Sequence, residues 1–185
     1  MSTLLTAIGL GLGAGVNAYA TLLVFGLLSR WRPGLFEGDL ATFFASTPVL
    51  ITLGVLYAVE FVADKVPAID HVWDAIHTFV RPAAGALVGW AASFDQLPQG
   101  AVVLATVMAG GAALTTHAAK ASIRVASTST TAGTVSPILS LAEDAFAIGS
   151  ALIAIVLPWL VAGLIAIVAF VIFMLLRRYR KPQTL

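Results

Sequence analysis

The chain contains apolar runs long enough to cross a lipid bilayer, and one of them holds an acid pair. Leu4–Leu28 carries no charged residue, and Ile138–Leu176 carries only Glu143 and Asp144, side by side. About 20 apolar residues span a ~30 Å hydrocarbon core as a helix. In that core each backbone N–H and C=O needs an internal partner, which a helix supplies from its own segment. Composition agrees: hydrophobic residues make up 59% of the 185 and charged residues 10%, where a soluble domain has roughly 25% charged. Mean hydropathy is +0.98. A net charge of +1 says nothing about nucleic acid, but no basic patch with interleaved aromatics occurs and no nucleic-acid partner is expected. The lack of cysteine excludes disulfides, thiolate metal sites and Cys nucleophiles.

The runs are Leu4–Leu28, Ala41–Val59, a short Pro82–Phe94, Ala101–Ala119, and Ile138–Leu176, which is long enough for two spans with a turn at Pro158-Trp159. The first 20 residues end in an Ala-x-Ala at Ala18–Ala20, as signal peptides do. They lack a basic start, so we read them as a retained first span. The expected fold is therefore an all-α polytopic bundle of about six transmembrane helices, forming a single integral membrane domain over 1–185. A 3+3 inverted repeat is open as its arrangement. With the N-terminus inside, Lys65, Arg81, Lys120, Arg124, Arg177, Arg178, Arg180 and Lys181 are cytoplasmic, and only Arg30 and Arg32 lie outside. That asymmetry places both termini in the cytoplasm. Glycines four apart (Gly9/Gly13, Gly11/Gly15, Gly85/Gly89) predict close helix crossings, within one chain or between copies in a homo-oligomer.

The polar residues converge near the cytoplasmic side. Glu60 and Asp64 are one turn apart and share a helix face. After Pro67, apolar residues at helix period set Asp70, Asp74, His77 and Arg81 on the opposite stripe, predicting a short amphipathic or re-entrant helix at about 68–81. Asp70, Asp74 and His77 at i, i+4, i+7 have donors suited to a divalent cation, the one candidate cofactor, although a solvated face has the same pattern. His117, Lys120 and Arg124 share a face at the end of the fourth span. The hydroxyl-rich "VASTSTTAGTVSP" follows, and as a loop before a helix it offers Thr131 and Gly133, with Arg124, as an anion contact.

Ala145 to Leu157 is 13 residues, about 20 Å of helix. With Pro158 at the outer boundary, Glu143 and Asp144 are submerged by up to roughly 10 Å. Carboxylates at such depth face a bundle interior or a wet cavity and pair with something. Asn17, alone in mid-span, is either helix glue or part of the pathway above the acids.

The stretches "GVNAYATLLVFGLLSR", "EFVADKVPAIDHVWDAIHTFVRPAAGAL" and "THAAKASIR…STSTTAG…SPILSLAEDA" resemble, in order along almost the whole chain, the bacterial integral-membrane family called domain of unknown function 4126. The resemblance implies a bacterial inner-membrane protein and brings no established activity. Where the family pattern often has Asn-Pro before the Glu-Asp pair, this chain has Ser136-Pro137. "EFVADK" is also similar in layout to the Glu-x-Gly-Asp-Lys signature of small cation–proton exchangers, with the spacing one longer and the glycine missing.

The leading expectation is a small transporter or channel for a cation or protons, using Glu143, Asp144, Glu60, Asp64, Asn17, His117 and Lys120. Alternatives are an anion or lipid-phosphate carrier built on Arg124, a membrane-embedded enzyme using Asp70, Asp74 and His77, and a purely structural membrane subunit. No Ser-His-Asp order or His-Glu-x-x-His supports an enzyme. The expected partners are the lipid bilayer and a small ion or small-molecule substrate.

Overall fold

Asn17 divides the first apolar run in two. A computed structural model describes residues 1–179, apart from the side chains of 67, 68, 70, 71 and several positions from 168 onward. In it α1 (Ser2–Val16) stops at Asn17, whose backbone is extended, and α2 (Ala18–Trp31) starts there. The Asn17 Oδ1 accepts from the Ala20 N–H at 2.9 Å and so caps α2. An Asn side chain bonded to a nearby backbone N–H offers the chain an alternative to continuing the helix. The expected single span is therefore two helices of 15 and 14 residues.

Next come α3 (Asp39–Ala45) and α4 (Thr47–Ala63), bent by 63° at Ser46. The amphipathic segment and the short third span are one helix, α5 (Pro67–Ser93), which runs through Pro82. Proline withholds one N–H from the preceding turn, and here that loss does not end the helix. The fourth span reaches well past its expected end as α6 (Gln99–Thr131) and stops where Ala132 (φ 51°) and Gly133 (φ 81°) turn left-handed. The remaining helices are α7 (Ser136–Val156) and α8 (Pro158–Tyr179), broken at the predicted Pro158 turn. No strand occurs among the described residues.

Two helices, α6 and α7, are each long and apolar enough to cross a membrane, or three if the bent α3–α4 pair counts as one. This is fewer than the six expected. Asn17 splits the first run into short apolar helices, and the apolar part of α8 that can be assessed ends at Ile167.

α1 is the central post, packed against α5, α6, α7 and α8. The glycine pairs permit this, and they act within one chain. A Cβ on Gly11 or Gly15 would run into the backbone carbonyl of Ala109 or Ala113 on α6. One on Gly85 or Gly89 would meet the methyl of Ala113 or Ala109 at 2.6 and 2.5 Å. The buried apolar positions are largely alanines, with few large side chains such as Leu10, Phe25 and Val88. Large apolar side chains instead face outward, including Ile51, Val55 and Val62 on α4 and Val103 and Val107 on α6.

Candidate functional site

Five elements send charged or amide side chains to one buried place. They are the Asn17 break, the last turn of α4 (Glu60, Asp64), the first half of α5 (Asp74, His77, Arg81), the second half of α6 (His117, Lys120, Arg124) and the first half of α7 (Glu143, Asp144). On α4, α5 and α6 the spacing is three or four residues, so one face of each carries its set; on α7 Glu143 and Asp144 are adjacent.

Arg81, 0% exposed, is the hub of the inner half. It donates from Nη2 to Glu60 Oε1 at 2.8 Å and from Nη1 to Asp74 Oδ1 at 2.7 Å. Its Nη1 also lies 2.7 Å from His117 Nδ1. A guanidinium only donates, so His117 Nδ1 accepts and the imidazole is neutral with its proton on Nε2. That Nε2–H points to Thr78 Oγ1 at 3.0 Å, and the Thr78 hydroxyl donates to the Asp74 carbonyl at 3.1 Å. His77 donates from Nδ1 to the Trp73 carbonyl at 2.8 Å and stacks on the Trp73 ring. Tyr19 lies 3.2 Å from its Nε2.

Lys120 and Arg124 organise the other half. Lys120 Nζ donates to Asp64 Oδ2 at 2.8 Å and lies 3.5 Å from Glu143 Oε2. It also donates at 3.2 Å to the Val16 carbonyl, which the helix break leaves without an intrahelical donor. Arg124 grips Glu143 through Nε, at 3.0 and 3.2 Å, and through Nη2, and it donates from Nη1 to the Asp64 carbonyl at 2.7 Å. Asp144 differs. Its Oδ1 accepts from the Asn17 amide at 3.0 Å, and it makes no ion pair among the described residues. The break therefore places Asn17 between the N-terminus of α2, which it caps, and the acid pair.

Burial leaves some polar atoms unmatched. Glu60 Oε2, Asp64 Oδ1, Asp144 Oδ2, Arg81 Nε and Trp73 Nε1 are buried without a hydrogen-bond partner among the described residues. An open, mainly apolar groove of about 270 Å³ between α6 and α7, flanked by Ile123, Leu139 and Phe146, reaches Lys120 and Glu143.

All seven residues of the expected pathway (Glu143, Asp144, Glu60, Asp64, Asn17, His117 and Lys120) meet here. The two other groupings are not assembled among the described residues. For the metal set, the side chain of Asp70 lies outside the described residues, while Asp74 turns to Arg81 and His77 to Trp73 and Tyr19. Among the described residues no three His, Asp or Glu side chains are placed to hold a metal ion. For the anion contact, the hydroxyl-rich run is helical up to Thr131 and so is no loop. Thr131 donates to its own helix at Ser127, and Arg124 is taken by carboxylates. Up to Thr131 the backbone N–H groups are used within the helix and are not free to meet an anion. The central role of Arg81 escaped the sequence reading. Its signal was the seven-residue spacing from Asp74, which puts both on one face.

These features define an all-helical bundle with apolar helices around a buried charged cluster. Residues 4–178 match the family described as "Domain of unknown function (DUF4126)", and the chain belongs to that family. Among curated proteins and among solved structures, nothing matches it.

Proposed function

We propose that this protein is a small transporter or channel for a cation or protons in a bacterial inner membrane, with the charged cluster toward the cytoplasmic side. The N-terminus, which Thr3 holds beside Gln96, is on the outer side and not in the cytoplasm as expected. The inverted distribution of side chains supports the membrane placement. Large apolar groups such as Ile51, Val55, Val103 and Val107 face outward while charged groups are enclosed. Outward-facing apolar side chains in such number are a liability in water and the favourable arrangement in lipid. α1 and α2 fold back on each other at Asn17, since Thr3 at the start of α1 and Leu35 just after α2 both bond to Gln96 and Gly13 packs on Thr21. The pair is a re-entrant hairpin in place of the expected first crossing, and α3–α4, α5, α6, α7 and α8 make up five.

The observation that carries the transport reading is the surplus of enclosed acid. Glu60, Asp64, Asp74, Glu143 and Asp144 face the three cations Arg81, Lys120 and Arg124, and the half-buried Lys65 turns to the Phe61 carbonyl. Three of those carboxylates have an oxygen left unpartnered. A purely structural network gains nothing from excess like-signed charge, whereas a cation site needs it. The cluster also lies against a broken helix, the setting in which secondary transporters bind ions.

A ligand panel on the detergent-purified protein tests this. We expect one cation, or a pH step, to raise the unfolding temperature of the wild type and to have no such effect on Glu143→Gln. A specific ion at ~100 times its Kd adds about 2.7 kcal/mol. The dense ion pairing also suits a structural subunit. That reading gains if no ion shifts unfolding and Glu143→Gln is simply less stable.

A further inference from the structure

We infer that the ion handled here is a proton and that Asp144 is the residue that carries it; this deepens the transport reading and rests on it. The other acids of the cluster each face a cation: Glu60 and Asp74 face Arg81, Asp64 faces Lys120, and Glu143 faces Arg124. Asp144 is 5% exposed, its one hydrogen bond among the described residues comes from the neutral Asn17 amide, and its Oδ2 is buried without a partner among them. An ionised carboxylate so placed is the costliest state in the site, and one proton on Oδ2 removes the charge. A metal ion fits less well. It needs several converging oxygens, and no such set of three exists among the described residues.

The surroundings also provide for the deprotonated state. The charged and titratable groups acting on Asp144 are Tyr57, Asp64 and Lys65 from α4 and Lys120 from α6. Its neighbour on α7, Glu143, is held by Arg124. The break between α1 and α2 brings Asn17 to it. Lys120 is occupied by Asp64 and the Val16 carbonyl. Lys65 is the adaptable one. Its Nζ rests 3.0 Å over the Phe61 ring and 3.4 Å from Ser140 Oγ, and Ser140 lies one turn before Asp144 on the same face of α7. When the proton leaves Oδ2, a rotamer change of Lys65 from Phe61 toward Asp144 supplies the compensating charge. When the proton returns, Lys65 goes back to the ring.

Infrared spectroscopy of the purified protein tests the assignment, because a protonated carboxyl has its own C=O stretch, apart from the carboxylate bands. At neutral pH the wild type should show one such band. It should shift when aspartate is labelled with ¹³C at the side-chain carboxyl, disappear in Asp144→Asn and persist in Glu60→Gln. Should Asp144→Asn not fold, Asp144→Glu serves, since it moves the band out of the aspartate-labelled set. In Lys65→Met the band should persist to higher pH than in wild type. No band at neutral pH, a band unmoved by aspartate labelling, or one that survives in Asp144→Asn would overturn the proposal. The band without any proton flux in vesicles would leave Asp144 as a proton site and remove transport. Flux of a metal cation with no band would keep transport and remove the proton.

Discussion

Replacing Arg81 with methionine is expected to destabilise the protein by about 3–5 kcal/mol, the usual cost of removing one partner from a buried ion pair. The substitution strands Glu60 and Asp74, which lose bonds of 2.8 and 2.7 Å, and it leaves His117 Nδ1 without its donor. Arg81→Lys should recover only part of this, because one ammonium cannot reproduce the planar fork that reaches three groups on three helices. Adding Glu60→Gln to Arg81→Met should restore some stability, since neutralising both members of a pair costs far less than neutralising one. Chemical unfolding of the purified variants gives the double-mutant cycle directly. Additive effects would mean that Arg81 does not act through Glu60.

The second large effect is expected at Asn17. Asn17→Ala removes the cap of α2, worth about 1 kcal/mol, and leaves the inner oxygen of Asp144 without a donor, worth about 1–3 kcal/mol more. Asn17→Ser separates the two. Serine caps a helix as well as asparagine does, but its hydroxyl is too short to make the 3.0 Å bond from Asn17 to Asp144. Asn17→Ser should therefore recover about 1 kcal/mol of the Asn17→Ala loss, the share of the cap, and still disturb any process that depends on Asp144. If Asn17→Ser and Asn17→Ala are equally destabilised, the cap is not the reason α1 ends where it does.

Much of the site was legible because helical periodicity is a strong constraint. Glu60/Asp64, Asp74/His77 and His117/Lys120/Arg124 each repeat at three or four residues, so once each segment is helical its charges must share a face. Apolar runs around them leave those faces nowhere to go but inward. The glycine pairs were legible for a similar reason, since four-residue spacing marks a stripe where backbones can meet. Four features were not legible. The break at Asn17 depends on one amide capping α2 while it also holds Asp144, a contact 127 residues away in the chain. The continuity of α5 through Pro82 and the helical state of the Ser/Thr run were misjudged. Local preference favoured a break in the first and a loop in the second; packing against α6 carries α5 through Pro82, and α6 continues to Thr131 until left-handed Ala132 ends it. Arg81 was hidden because its partners sit on three different helices, and no spacing in the sequence encodes that convergence.

The central claim, that the enclosed acids serve ion movement, is tested most directly in proteoliposomes. The protein would be reconstituted with a pH-reporting dye inside, and flux would be driven by imposed proton, monovalent-cation and divalent-cation gradients. Wild-type vesicles should pass protons or one cation faster than protein-free vesicles. Glu143→Gln and Asp144→Asn, checked as folded by gel filtration, should fall to the protein-free rate. Wild-type flux no greater than that of protein-free vesicles under every gradient, or full flux in both variants, would contradict it and leave the cluster as the structural glue of the bundle.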